Sequence, residues 1–373
     1  MATFTFTASF SFTLFFFFFL LLFSILEAQA QDPKKLKPSN CSVSAIFVFG
    51  DSTVDPGNNN YLPTVFRSDF PPYGRDFLQH RPTGRFTNGR LVTDFVASYL
   101  GLKEEIPPYL DIELSEEDLM TGVSFASAGT GYDPLTPSIS KVIPIPNQLD
   151  YFGEYLKTLQ LRIGKKGAQD LIRRAAVVIS AGTNDFLVNY FALPFQKQKY
   201  TVEQYQHFLL VNLADFLQEV QNLGFRKIVV VGLPPMGCLP IVITLNSHNG
   251  FQIQKRGCID TYNTVASDYN YKLRSMLATL QMSARNGVTI AYADIYQPMI
   301  DMVQRPAKFG FEESTNGCCG TGLFEASFLC NPKSLACPDA SKFVFFDSIH
   351  PTEKTYYYVF KSLRKTIDDL LKD

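Results

Sequence analysis

Short apolar runs, each followed by helix-length stretches, confine this chain to a small group of folds more firmly than any other feature. The runs are Ala45-Ile46-Phe47-Val48-Phe49, Ala176-Val177-Val178-Ile179-Ser180, Lys227-Ile228-Val229-Val230-Val231, Val288-Thr289-Ile290-Ala291-Tyr292 and Phe343-Val344-Phe345-Phe346. Each reads as a buried strand. Helices are expected at Leu91 to Leu100, at 147–173, from about Thr201 to Leu223, at 262–285 and in the amphipathic stretch after Pro351. In the second of these, Phe152, Tyr155 and Leu159 recur at helical spacing. Helices of that length allow right-handed crossovers between parallel strands. The expected fold is therefore α/β, a single three-layer α/β/α domain with a mostly parallel central sheet. No internal repeat or low-complexity linker divides it. Residues 61–90, rich in Pro, Gly and aromatic side chains, predict a long surface excursion.

The N-terminus has a different character. Its first 26 residues contain no charged side chain, and an apolar run centred on Phe15 to Phe23 leads to Ala28-Gln29-Ala30, a small-x-small cleavage pattern. Residues 1–30 are expected to be a signal peptide, residues 31–43 a polar segment, and residues 44–373 the folded domain. A retained anchor is the alternative for the leader. No second apolar run approaches the roughly 20 residues that span a bilayer. Secretion fits the seven cysteines, which an oxidising compartment would pair as disulfides with at least one left over. Cys318, Cys319, Cys330 and Cys337 also allow a zinc reading, although adjacent cysteines are awkward tetrahedral ligands. Asn40-Cys41-Ser42 is a possible N-glycosylation site at Asn40. The first 30 residues hold one charge, Glu27, so the remainder carries 34 basic and 34 acidic groups. Such a balance argues against a nucleic-acid partner.

Chemistry is suggested by residues just beyond the strands. Asp347-Ser348-Ile349-His350-Pro351 follows the last run, and an Asp and a His three residues apart can share one turn with carboxylate against imidazole. An ordinary polar residue at a helix start is the other reading of His350. Ser52 lies two residues beyond Gly50, where its hydroxyl falls on a turn. It needs a base to become a nucleophile, and a helix N-cap would use the same position without chemistry. No Gly-x-Ser-x-Gly elbow occurs in the chain. Acyl transfer also needs donors for a developing oxyanion, and the Ser52 amide, Gly129 and Asn184 are candidates. Asn184 also fits a helix cap and Gly129 a tight turn.

Four ordered blocks join these positions. They are Phe49-Gly50-Asp51-Ser52-Thr53-Val54-Asp55-Pro56-Gly57-Asn58-Asn59-Asn60, Gly122-Val123-Ser124-Phe125-Ala126-Ser127-Ala128-Gly129-Thr130-Gly131, Gly182-Thr183-Asn184-Asp185 and the Asp347 to Pro351 segment. Together they resemble the plant GDSL esterase/lipase family of the SGNH-hydrolase superfamily, with Thr53 in place of the usual Leu and Ser124 where Asn is common. The resemblance implies a flavodoxin-like SGNH-hydrolase fold. It also implies Ser52 as nucleophile, His350 as base, Asp347 as its partner, and an oxyanion hole of Ser52, Gly129 and Asn184.

The function implied is that of a secreted carboxylic ester hydrolase acting on lipid, cell-wall or small-metabolite esters, in the apoplast or cell wall if the protein is from a plant. That chemistry calls for no cofactor and no metal. A catalytically silent binding protein on the same scaffold and an acyltransferase are the competing readings. The 61–78 and 306–330 loops are candidate walls of an acyl groove, or simply cover for the core.

Overall fold

Consecutive apolar side chains make Ile46–Gly50 (β1) a strand buried along its whole length, with Phe47 and Phe49 in one hydrophobic cluster and Ile46 and Val48 in another. The computed structural model describes residues 43–247, 255–284 and 287–372. The expected signal peptide, nearly all of the 31–43 segment, Asn40 and Cys41 lie outside the described residues. After β1 come α1 (Val92–Leu100), α2 (Glu116–Thr121), α3 (Leu135–Ser140), α4 (Ile145–Arg174) and β2 (Ala176–Ser180). The chain continues through α5 (Pro194–Lys197), α6 (Val202–Asn222), β3 (Lys227–Val231), α7 (Pro240–Leu245), α8 (Asp260–Ser283) and β4 (Thr289–Ala293). It closes with α9 (Tyr296–Gln304), β5 (Glu313–Gly317), β6 (Phe343–Phe345) and α10 (Glu353–Leu371).

The main sheet is parallel in the order β1-β2-β3-β4. Beyond β1, the Val123–Phe125 segment takes the free edge: Phe125 N–H donates to Val48 O (2.8 Å) and Val48 N–H to Val123 O (3.2 Å). Counting that segment, the order is the flavodoxin-like one, whose switch point falls between the carboxyl ends of β1 and β2. Loops leave that point in opposite directions and open a crevice, which is where the first and third motif blocks lie. One face of the sheet is covered by α4, α6 and α8 around Phe152, Leu213 and Tyr269. The other is covered by α1, α9 and α10 around Phe95, Met302 and Phe360. The three-layer expectation is met, and the described residues belong to one compact unit.

Two local expectations differ from the structure. The Phe343-Val344-Phe345-Phe346 run does not join the main sheet; β6 pairs with β5 in a separate two-stranded parallel sheet. Disulfides Cys318–Cys337 and Cys319–Cys330 fold the intervening segment back, which brings β5 beside β6 and occupies its pairing edge. The 61–90 stretch is not a surface excursion throughout. Tyr73, Arg85, Phe86 and Thr87 are buried, because Tyr73 and Phe86 form a small core with Phe346 and the disulfide cysteines. Arg85 enters the interior only as half of a bidentate pair with Asp94, through Nε and Nη2 at 2.9 and 2.8 Å.

Candidate active site

The turn that carries Ser52 is built by backbone constraints at Gly50. There φ is +142°, and a Cβ would fall 1.9 Å from the Ser180 carbonyl oxygen, so only glycine lets β1 run this close to β2. Gln148, fully buried on α4, then acts like a neighbouring strand. It accepts from Gly50 N–H (2.8 Å) and donates to Gly50 O (2.9 Å). Asp51 N–H donates to Ser180 O (2.9 Å). The Asp51 carboxylate accepts from the Thr53 amide and hydroxyl, and the Thr53 hydroxyl also lies 2.9 Å from that of Ser180. Thr53, the departure from the usual motif, thus stitches the turn to β2. No helix starts at Ser52; residues 52–54 form a turn, so the capping alternative is not realised.

Downstream in the same block, Asp55, Asn58 and Asn59 clamp this turn to the second block. Asp55 accepts from the Gly57, Asn58 and Ala128 amides. Asn58 donates to the Ser124 and Ala126 carbonyls, and Asn59 to that of Ala128. Gly129 follows directly with φ +88°, a conformation that favours glycine. Asn184 stands at the N-cap of the Asp185–Ala192 helix, yet its side chain makes no capping bond there. Instead its amide donates to the Thr130 carbonyl (2.9 Å), spanning from the third block to the second.

Asp347 and His350 share one turn, as their spacing suggests. Asp347 Oδ1 accepts from the Ile349 and His350 amides at 2.8 and 2.6 Å, a local Asx-type turn that needs no distant support. Its Oδ2 lies 2.7 Å from His350 Nδ1. At the other side of the ring, Nε2 is 2.8 Å from Ser52 Oγ, across 298 positions of sequence. Since an ionised carboxylate only accepts, Nδ1 carries the proton and Nε2 is left to accept from the serine hydroxyl. The imidazole rests against Phe86 at 4.8 Å between ring centres, and His350 is 5% exposed. Ser52, Asn184 and His350 line one cavity; Gly129 is not among its lining residues. Of the remaining histidines, His80 and His207 are exposed and His248 lies outside the described residues.

Burial sets the charges nearby. It raises the Asp51 carboxyl to about 6, against the opposing pull of Thr53 and of His350. It raises Asp55 to about 6 despite the donors at Gly57 and Ala128. Asp185 rises to about 7, again through burial, while Thr136 and the Tyr132 and Asp133 amides pull the other way.

Sequence reasoning missed several of these residues. Tyr73, within the supposed excursion, donates from its hydroxyl to Asp347 Oδ2 (2.7 Å) and accepts from the Ser327 amide (2.8 Å). Nothing in its Pro-Pro-Tyr-Gly context marks that role. Gln148 did carry a signal, since a lone amide sits in line with Phe152, Tyr155 and Leu159 on the apolar stripe of α4. Among the cysteines, Cys238–Cys258 forms a third disulfide. The zinc alternative falls because Cys318, Cys319, Cys330 and Cys337 are all bridged and offer no thiolate.

A model of the family described as GDSL-like lipase/acylhydrolase matches residues 46–363. A GDSL esterase/lipase of Arabidopsis thaliana is 56% identical over 349 residues, covering 93% of this chain and 92% of that one. A second from the same plant is 44% identical over 336 residues, covering 89% and 92%. Among solved structures, a lipase from a goat rumen metagenome aligns with a TM-score of 0.36 at 13% identity, covering 87% of this chain and 97% of that one.

Proposed function

The chain belongs to the GDSL-like lipase/acylhydrolase family, and we propose that it hydrolyses carboxylic esters with Ser52 as nucleophile, His350 as general base and acid, and Asp347 as the carboxylate that orients His350. The carrying observation is the unbroken line from Ser52 Oγ through His350 Nε2 and Nδ1 to Asp347 Oδ2, at 2.8 and 2.7 Å.

In the first step Ser52 Oγ attacks the ester carbonyl carbon while His350 Nε2 takes its proton. The carbonyl oxygen becomes an oxyanion, held by the Ser52 and Gly129 amides and by the Asn184 side chain, whose second N–H remains beside the one given to Thr130. The imidazolium, balanced by Asp347, then protonates the leaving alkoxide, and the acyl group stays on Ser52. Water repeats the sequence: His350 removes its proton, the acid departs, and Ser52 recovers its hydrogen. Every proton is held by one of these side chains, so no step calls on a metal or cofactor.

The substrate is a small-molecule ester or one borne on a polymer. The reading includes secretion, with residues 1–30 removed and residues 44–373 as the hydrolase domain. Three disulfides support an oxidising compartment. Among the described residues no helix is long and apolar enough to cross a membrane. For the test, Ser52→Ala should lower ester turnover by at least about 1,000-fold with the circular dichroism spectrum unchanged. It should also abolish labelling by a serine-directed phosphonate. Turnover that survives the substitution would remove Ser52 from the chemistry.

A further inference from the structure

The two faces of the central sheet are packed differently. On the α4/α6/α8 side, Val177, Ile179, Ile228 and Val230 are completely buried. On the α1/α10 side of the same two inner strands, Val178, Val229 and Val231 keep partial exposure. Inner strands of a parallel sheet covered by helices on both faces are ordinarily buried on both. A gap therefore lies between this face and the helices that cover it.

The gap is one cavity running from Ser52 and His350 to Leu370 and Leu371. On the sheet side its wall includes the small residues Ala176 and Ala293. From α1 come Val92, Val96 and Leu100, four residues apart, and from α10 Tyr356, Val359, Leu363, Ile367 and Leu370. Apart from Thr93 and Thr366, the polar side chains on the wall lie at the Ser52 end. Tyr356, on that stretch of wall, has a buried hydroxyl without a partner among the described residues. The cavity has a volume of about 110 Å³, against the roughly 10–15 Å³ that one water molecule needs. Water does not fill such a space well, because each molecule needs two to four polar partners and the deep part of this wall offers almost none. The described residues of the 61–78 and 306–330 loops do not line it.

We propose that this cavity is the binding tunnel for the acyl chain of the substrate, so that the enzyme acts on esters of long-chain fatty acids. The proposal rests on Ser52 being the nucleophile, since that places the ester carbonyl at the tunnel mouth. Length then follows from α10. Its lining stripe from Tyr356 to Leu370 rises about 21 Å at 1.5 Å per residue. An extended chain advances roughly 1.2 Å per bond, so the stripe matches about 17 bonds and the tunnel takes an acyl group at least as long as palmitate, about 16 carbons. The alcohol part stays on the polar side of Ser52, outside the apolar wall.

The test uses the full-length secreted protein and p-nitrophenyl esters from acetate to palmitate. We expect kcat/KM to climb by up to about fourfold per added methylene and to be highest at palmitate. Val178→Phe places a ring midway along the tunnel and should cut kcat/KM for palmitate at least about tenfold while leaving acetate within about twofold. Thr366→Phe, at a half-buried position near the far end, should shorten the preferred chain without touching the sheet, and it serves if Val178→Phe fails to fold. Wild-type preference for acetate would overturn the proposal, as would folded variants that keep the wild-type profile or lose acetate and palmitate turnover equally. Binding separates this proposal from the assignment of Ser52. Ser52→Ala should still bind palmitate by calorimetry, and the same protein carrying Thr366→Phe should bind it more weakly. Palmitate binding without ester turnover at any chain length in the wild type would support the tunnel and count against the nucleophile. Acetate turnover without palmitate binding would do the reverse.

Discussion

At Asp347 one carboxylate meets four donors: the Ile349 and His350 amides on Oδ1, and His350 Nδ1 with the Tyr73 hydroxyl on Oδ2. The two amides come free with the turn, but the phenol arrives from 274 positions away. Tyr73 touches no reacting atom and so acts as a positioning residue, fixing the carboxylate plane against the imidazole. Tyr73→Phe keeps the ring contacts with Phe86 and Phe346 and removes one donor to a charged group. We expect kcat to fall about 5- to 30-fold with KM little changed, as for loss of a charge-assisted bond worth about 1–2 kcal/mol. A kcat within twofold of wild type would mean that the backbone amides hold Asp347 unaided. The Asp347–His350 pair was legible in the sequence because three residues fit one turn. Tyr73 was not, because a hydrogen bond across the fold leaves no local pattern.

On the scale of elements, the nucleophile turn depends on α4. At the end of β1 Gln148 accepts from Gly50 N–H and donates to Gly50 O, which the Ser127 amide also reaches at 2.8 Å. Gln148→Leu preserves size but removes the acceptor of Gly50 N–H, while Gly50 O keeps the Ser127 amide (2.8 Å). The unfolding free energy should drop by about 1–3 kcal/mol, the cost of one buried amide left unsatisfied. Urea denaturation measures it, and an unchanged midpoint would show that Gly50 finds other partners. The short lobe of β5 and β6 makes a complementary point. Its Phe-rich run looks like any other buried strand, and strand length and composition correctly identify it as one. Which strand it pairs with is decided by the Cys318–Cys337 and Cys319–Cys330 bridges and by Gly317, where a Cβ would meet the Asp347 backbone at 2.7 Å.

For the molecule as a whole, three buried carboxyls tie stability to pH. Asp51 and Asp55 rise from 3.8 to about 6 and Asp185 to about 7. Their folded pKa values exceed the unfolded ones, so between pH 3.8 and 7 the folded state holds protons that the unfolded chain has released. Stability is then fully present at acid pH and is lost as pH climbs through 6 to 7. Glu313 and Glu325 are lowered from 4.5 and Asp118 from 3.8, so their opposite contribution changes only at lower pH. The wild type should therefore lose up to a few kcal/mol between about pH 5 and 8, since each tenfold difference in proton affinity between the folded and unfolded chain is worth about 1.4 kcal/mol. Asp185→Asn should flatten that slope in urea titrations at the two pH values. Parallel slopes for the two proteins would dismiss Asp185 as the source.

The amino-acid sequence by itself determined the α/β class, the strands and helices, and the turns bearing Ser52, Asn184, Asp347 and His350. Each of these follows from residues within one element or one loop, where apolar period, glycine placement and spacing act directly. Tertiary structure alone decided that Ser52 meets His350 across 298 positions, that Tyr73 and Gln148 serve the site, and that β6 leaves the main sheet. It also decided that one face of that sheet is filled while the other is hollow. A valine on an inner strand reads the same in either setting; only the helices packed over it determine whether side chains close the space or leave a tunnel.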